Sequence, residues 1–229
     1  MKKILFTAIA LSFIFSLNAQ KFGTKIGVNM SGVNTNIQLE DIQTAALENG
    51  FQGGFVFEFA PKNLGIRLEA LYTQKGYNLS TETTLIDGTT DAVTDFSLNL
   101  NYIEVPVLLK YKLGPAYITA GPYFGYAVSG EELTSITVDG QQLAEELYAD
   151  QNAIPSRDVY EIGDFNPENI TYSRTDMGLN LGVGLKVLKF FAEARYGVGI
   201  ANIKDYDNMP ADDFTKNYTI SFSVGMFFN

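Results

Sequence analysis

Eight segments of this chain place an apolar residue at every second position, and no other feature constrains its fold as tightly. The clearest runs from Asp176 to Val187. Met177, Leu179, Leu181, Val183, Leu185 and Val187 share one face, while Asp176, Gly178, Asn180, Gly182, Gly184 and Lys186 share the other. Successive side chains of a strand point to opposite faces, so this segment has one greasy face and one polar or small face. The same alternation carries Ile26–Val28–Met30, Phe55–Phe57–Phe59, Ile66–Leu68–Ala70–Tyr72 and the odd positions from Ile103 to Tyr111. It returns at the even positions of Ile118 to Val128, of Phe190 to Ile200 and of Tyr218 to Phe228. About ten residues per strand, at roughly 3.3 Å rise and about 40° tilt, cover an apolar band of roughly 25 Å.

Alternation alone also suits a soluble sandwich or a lipocalin-like barrel. Charge placement separates these. Glu58, Arg67, Glu69, Glu104, Lys110, Asp176, Lys186, Glu193 and Arg195 all fall on the less apolar face of their strands. A soluble barrel keeps grease inside and charge outside. In lipid the order inverts, because Lys or Arg on the lipid face at mid-depth costs about 2–4 kcal/mol. The connections also alternate. Those at Pro61-Lys62-Asn63, Lys112-Leu113-Gly114-Pro115 and Leu188-Lys189 are tight, and those over 32–53, 74–94, 130–169 and 202–216 are long and polar. Short periplasmic turns and longer outer loops belong to one architecture. The expected fold is all-β: an eight-stranded antiparallel transmembrane up-and-down β-barrel in the outer membrane.

The first residues agree with export. Lys2-Lys3, an apolar run from Ile4 to Leu17 and Asn18-Ala19 describe a signal peptide over 1–19, cleaved after Ala19 to leave a barrel domain over 20–229. Losing two lysines moves the formal charge from −10 to −12. An acidic chain without a basic cluster predicts no nucleic-acid partner. With no cysteine, disulfides, thiol chemistry and a lipid anchor are excluded. With no histidine, the usual general base and transition-metal ligand are missing as well. No cofactor is expected.

Two features resist the simple pattern. The stretch 130–169 carries Glu131, Glu132, Asp139, Glu145, Glu146, Asp150, Asp158, Glu161, Asp164 and Glu168 against Arg157 alone, with a helical turn expected over Leu143–Tyr148. Loops of this length are usually functional. In addition, Phe96, Leu98 and Leu100 are apolar at even positions, whereas the segment that follows is apolar at odd ones. A bulge near Tyr102, or a strand continuing beyond the membrane, would each account for the switch.

The order of several motifs resembles the PorT-like "porin family" outer-membrane β-barrel domain of Bacteroidota. They are Gly27-Val28-Asn29-Met30-Ser31, Leu68-Glu69-Ala70-Leu71-Tyr72 with Lys75-Gly76, Tyr102 to Lys110, Gly121-Pro122-Tyr123, Asp176-x-Gly178, Glu193 to Ile200 with Asn202, and Gly225 to Phe228. The resemblance covers about residues 21–229, with Asn229 departing from an aromatic end. It implies fold and location, contact with outer-membrane lipid, and handling by the barrel-assembly machinery. One branch of the family resembles an accessory of a secretion system.

A tight hairpin at Leu188-Lys189 sets Gly182 opposite Arg195 and Gly184 opposite Glu193, and Glu58 would meet Arg67 across the turn at 61–63. The inward charges therefore either line a narrow conducting lumen or fill it as a salt-bridged plug; eight strands leave little bore, which favours the plug. Asp205, Asp207, Asp212 and Asp213 supply oxygen ligands for Ca²⁺ but lack the glycine and terminal glutamate of the familiar loop. Tyr72, Tyr111, Tyr172 and Tyr218 suit interfacial girdles. No nucleophile–base pair stands out, and for a carboxylate-only enzyme Asp176, Glu193 and Glu104 are the residues to suspect. The expectation is a non-enzymatic barrel whose acidic outer loops hold an extracellular ligand or protein, with a narrow porin-like channel as the alternative.

Overall fold

In a computed structural model, residues 20–36, 43–84, 91–139, 141–142, 156–159, 170–206 and 214–228 are described. The expected signal peptide, the helical turn over Leu143–Tyr148 and Asp207, Asp212 and Asp213 lie outside these residues. Eight long strands carry the fold: β1 Gln20–Thr35, β2 Gln43–Phe59, β3 Leu64–Thr84, β4 Asp91–Leu113, β5 Ala116–Val138, β6 Thr175–Val187, β7 Phe190–Gly199 and β8 Thr215–Phe227. Each pairs antiparallel with its neighbours in sequence, and β1 pairs β8 from Gly23↔Phe227 to Thr35↔Thr215, so the ring closes. A closed sheet leaves no backbone edge within the lipid band, where an unpaired amide would cost several kcal/mol.

The tight turns fall where the sequence puts them. Gly114 takes φ 66° between β4 and β5, a left-handed conformation open to glycine. Leu188 takes φ 56° in the two-residue hairpin between β6 and β7. The wide connections differ from expectation. Strands run into the segments assigned to loops over 32–53, 74–94 and 130–169, and β4 and β5 each reach 23 residues rather than about ten. At roughly 3.3 Å per residue and about 40° tilt, such a strand climbs about 58 Å, more than twice the membrane band.

The reason these segments read as loops is a change of solvent along one strand. Within the band, β4 turns Ile103, Val105, Val107 and Leu109 outward and Glu104 and Lys110 inward. Above it the same alternation continues, but Leu98, Leu100 and Tyr102 are now the buried side. The strand keeps its parity throughout; the medium outside changes from lipid to water, and the apolar residues move to the inner face. The strand thus continues beyond the membrane. A register shift also occurs between Asn101 and Tyr102, where β5 carries the extra residue, Val128.

The inner face of this raised wall builds an apolar cluster of Tyr77, Leu98, Leu100, Tyr102, Ala127, Tyr172 and Ile203. Two short strands, Ile170–Tyr172 and Lys204–Tyr206, pair with each other and bring Tyr172 and Ile203 into it. Tyr172 is therefore buried in the outer cluster rather than girdling the membrane, while Tyr111 is exposed on the lipid face and Tyr72 packs on Phe51 at 5.5 Å between ring centroids. Ser156–Asp158 adds to β5 beside Glu131–Leu133.

Candidate functional site

Inside the barrel, the nine predicted charges do not all behave alike. Glu58 on β2, Arg67 and Glu69 on β3, Glu104 and Lys110 on β4, Asp176 on β6, and Glu193 and Arg195 on β7 are buried in the lumen. Lys186 is only half-buried near the periplasmic end, with its ammonium 4.6 Å from the centre of the Phe227 ring. Two further cations complete the set, Lys25 on β1 and Lys75 on β3. Lys25 sits on the polar face of an alternating segment and parity alone would have found it. Lys75 was hidden in a segment read as a loop.

The charges form two layers. In the inner layer, Arg67 Nη1 donates to Glu193 Oε2 at 2.7 Å and Nη2 to Glu58 Oε2 at 3.0 Å. Lys110 Nζ reaches that same Glu58 oxygen at 2.7 Å. Arg195 holds Glu69 with both terminal nitrogens, at 2.8 and 2.9 Å, and also bonds Glu193. Lys25 Nζ donates to Glu69 at 3.2 Å. The Arg67 guanidinium lies between the rings of Tyr117 and Phe191, 4.8 and 5.1 Å from their centroids. In the outer layer, Lys75 pairs with Glu104 at 2.6 Å and with Asp176 at 3.1 Å. Tyr123 Oη and Asn217 Nδ2 each donate to Asp176 at 3.2 Å.

Five cations (Lys25, Arg67, Lys75, Lys110, Arg195) thus meet five carboxylates (Glu58, Glu69, Glu104, Asp176, Glu193), and none of these side chains is more than 7% exposed. Desolvating ten charges is costly unless each finds several partners in good geometry. The two-pronged Arg195–Glu69 contact and the shared Glu193 supply that geometry. Among the described residues, the space between the layers is a cavity of about 20 Å³ lined by Asn29, Gln52, Thr73, Lys75, Glu104 and Asn180, among others. That is room for about one water molecule.

Small residues make the packing fit. Gly182 pairs with Arg195 on one side and Thr119 on the other, and Gly184 with Glu193 and Tyr117. A Cβ on Gly184 would stand 2.7 Å from the Ala192 carbonyl oxygen and closer still to the Tyr117 ring. Gly184→Val should destabilise the barrel by about 1–3 kcal/mol through overpacking, read as a lower urea midpoint in detergent.

Among the described residues, no group of three or more carboxylates is arranged to hold a metal ion. Asp205 lies in the short strand Lys204–Tyr206, and the other three predicted Ca²⁺ ligands lie outside the described residues. The arrangement as a whole neutralises charge and fills space. A family model for the outer membrane protein beta-barrel domain matches residues 18–205. The chain belongs to that family.

No curated protein matches it in sequence. Among solved structures it is similar to Ail, the attachment invasion locus protein of Yersinia pestis, at 16% identity over 91% of this chain and 98% of that one, with a TM-score of 0.42. It is also similar to Neisserial surface protein A, at 11% identity over 90% and 97%, TM-score 0.44. A third is OprG from Pseudomonas aeruginosa, at 14% identity over 92% and 97%, TM-score 0.40. As a member of this family the protein resides in the cell outer membrane, with its greasy strand faces in lipid.

Proposed function

We propose that this is a closed, non-enzymatic barrel that presents acidic outer segments to an extracellular ligand or protein. The observation that carries the reading is the lumen: ten mutually paired charges are buried across it, and the cavity beside Lys75, Glu104 and Arg195 measures about 20 Å³. A hydrated ion needs a continuous bore, and the buried network interrupts it. In planar bilayers the mature protein should give no conductance steps; regular unitary steps would restore the porin-like channel as the leading account.

The outer segments are the chemistry left over once the lumen is assigned. The stretch 130–169 holds ten acids and one base, so a partner of positive surface would be favoured there by long-range attraction. Cells carrying a form lacking residues 143–155 should lose whatever surface binding the full-length protein confers, while the heat-dependent gel shift of the barrel stays. Binding that survives the deletion would remove Glu145, Glu146 and Asp150 from the reading. Export by a signal peptide cleaved after Ala19, and handling by the barrel-assembly machinery, belong to the same proposal. The PorT-like motifs add a place beside secretion components, which co-purification from cross-linked membranes would test.

A further inference from the structure

Charge is segregated along the barrel axis. Apart from the five interior carboxylates, the other twenty-one of the chain's 26 Asp and Glu fall in sequence on the outer side of the strands, against Arg157, Arg174, Lys204 and Lys216. The periplasmic end is the reverse. Lys21, Lys62, Lys112, Lys186 and Lys189 gather there, and the sequence around them offers only Glu58 as an acidic side chain. Glu58 is already engaged by Arg67 and Lys110.

The lysines are held as a rim. Lys112 Nζ donates to the carbonyl oxygens of Ala60 and Lys62, each at 3.2 Å, tying two turns together. Lys189 Nζ donates to the Phe228 carbonyl oxygen at 3.2 Å. Lys21 stands close enough to Lys186 and to Lys112 to act electrostatically on both. Five lysines with no unengaged acidic side chain near them in the sequence favour an anion beside them.

Each periplasmic turn also sets a lysine beside an exposed apolar side chain. Leu64 follows Lys62 at 59% exposure, Leu113 follows Lys112 at 55%, and Leu188 precedes Lys189 at 86%. Leu188 occupies a φ of 56° in a hairpin of the kind that favours Asn or Gly. A leucine kept in a strained position and exposed in this way is explained if it enters acyl chains. The ammonium groups then stand at the level of the lipid phosphates, the arrangement of a snorkelling lysine.

We propose that this rim is a binding surface for anionic phospholipid headgroups of the periplasmic leaflet, gripped by Lys62, Lys112 and Lys189 with the turn leucines in the acyl region. A single lysine near an anionic surface is worth about fivefold in lipid affinity.

Native mass spectrometry of the detergent-solubilised mature barrel, offered equal phosphatidylglycerol and phosphatidylcholine, reads this directly. The wild type should retain phosphatidylglycerol preferentially. Each of Lys62→Gln, Lys112→Gln and Lys189→Gln should cut the preference about fivefold, and the corresponding Lys→Arg variants should keep it. The heat-dependent gel shift of each variant establishes that the barrel is folded. Equal retention of the two lipids by the wild type would overturn the proposal. So would a preference unchanged in the folded triple Gln variant. If the wild type shows no lipid preference but co-sediments with isolated peptidoglycan, and the triple variant does not, the rim belongs to the cell wall instead.

Discussion

Replacing Arg67 with Met should cost the barrel about 3–5 kcal/mol. The guanidinium joins Glu58 to Glu193 and stacks between Tyr117 and Phe191, and its side chain has no exposed surface. Methionine fills much of the same volume, so the loss comes from electrostatics rather than from a cavity. It strands Glu193 with Arg195 and the more distant Lys25 at 3.8 Å, and leaves Glu58 with Lys110 alone. Urea unfolding in lipid vesicles, followed by the heat-dependent gel shift, measures the cost. Adding Glu193→Gln brings the count back to four cations and four carboxylates while leaving Glu58 paired with Lys110, and should recover part of the stability. A loss below about 1 kcal/mol for Arg67→Met would mean that water reaches the layer and screens it.

Much of the two-layer network could be read from parity. Eight of its members sit on the less apolar face of strands whose other face is uniformly greasy, and the hairpin at Leu188-Lys189 fixes both glycine–charge pairs by counting. Lys25 was available by the same count. What could not be read was the height of the wall. Sequence periodicity reports which face is apolar, and it carries no label for the medium outside. Lys75 lies close to the level where that medium changes, so the segment around it looked like the start of a loop. Nor could spacing reveal that Tyr172 turns inward, since its place depends on a pairing with Lys204–Tyr206 across more than thirty residues of sequence.

The change of medium makes the second large prediction, because the same kind of substitution should be costly at one height of the wall and nearly neutral at another. Leu181 is 61% exposed at the middle of β6, between Tyr196 and Ala120. Leu181→Arg should destabilise the membrane-inserted barrel by about 2–4 kcal/mol, because the guanidinium enters hydrocarbon. Ser97 also faces outward, on the raised part of β4, and Ser97→Arg there meets water and should change stability by no more than about 0.5 kcal/mol. Its neighbour Leu98 faces the apolar cluster and is fully buried, so Leu98→Ala should cost about 2–5 kcal/mol. Unfolding of all three variants in the same vesicles decides the matter. If Ser97→Arg cost as much as Leu181→Arg, lipid would cover the wall and the buried side of β4 would need another explanation. If Leu98→Ala cost nothing while Leu181→Arg did, the outer cluster would be a loose cap, and the stability of the barrel would reside in the lipid-embedded strands and their ion-paired lumen.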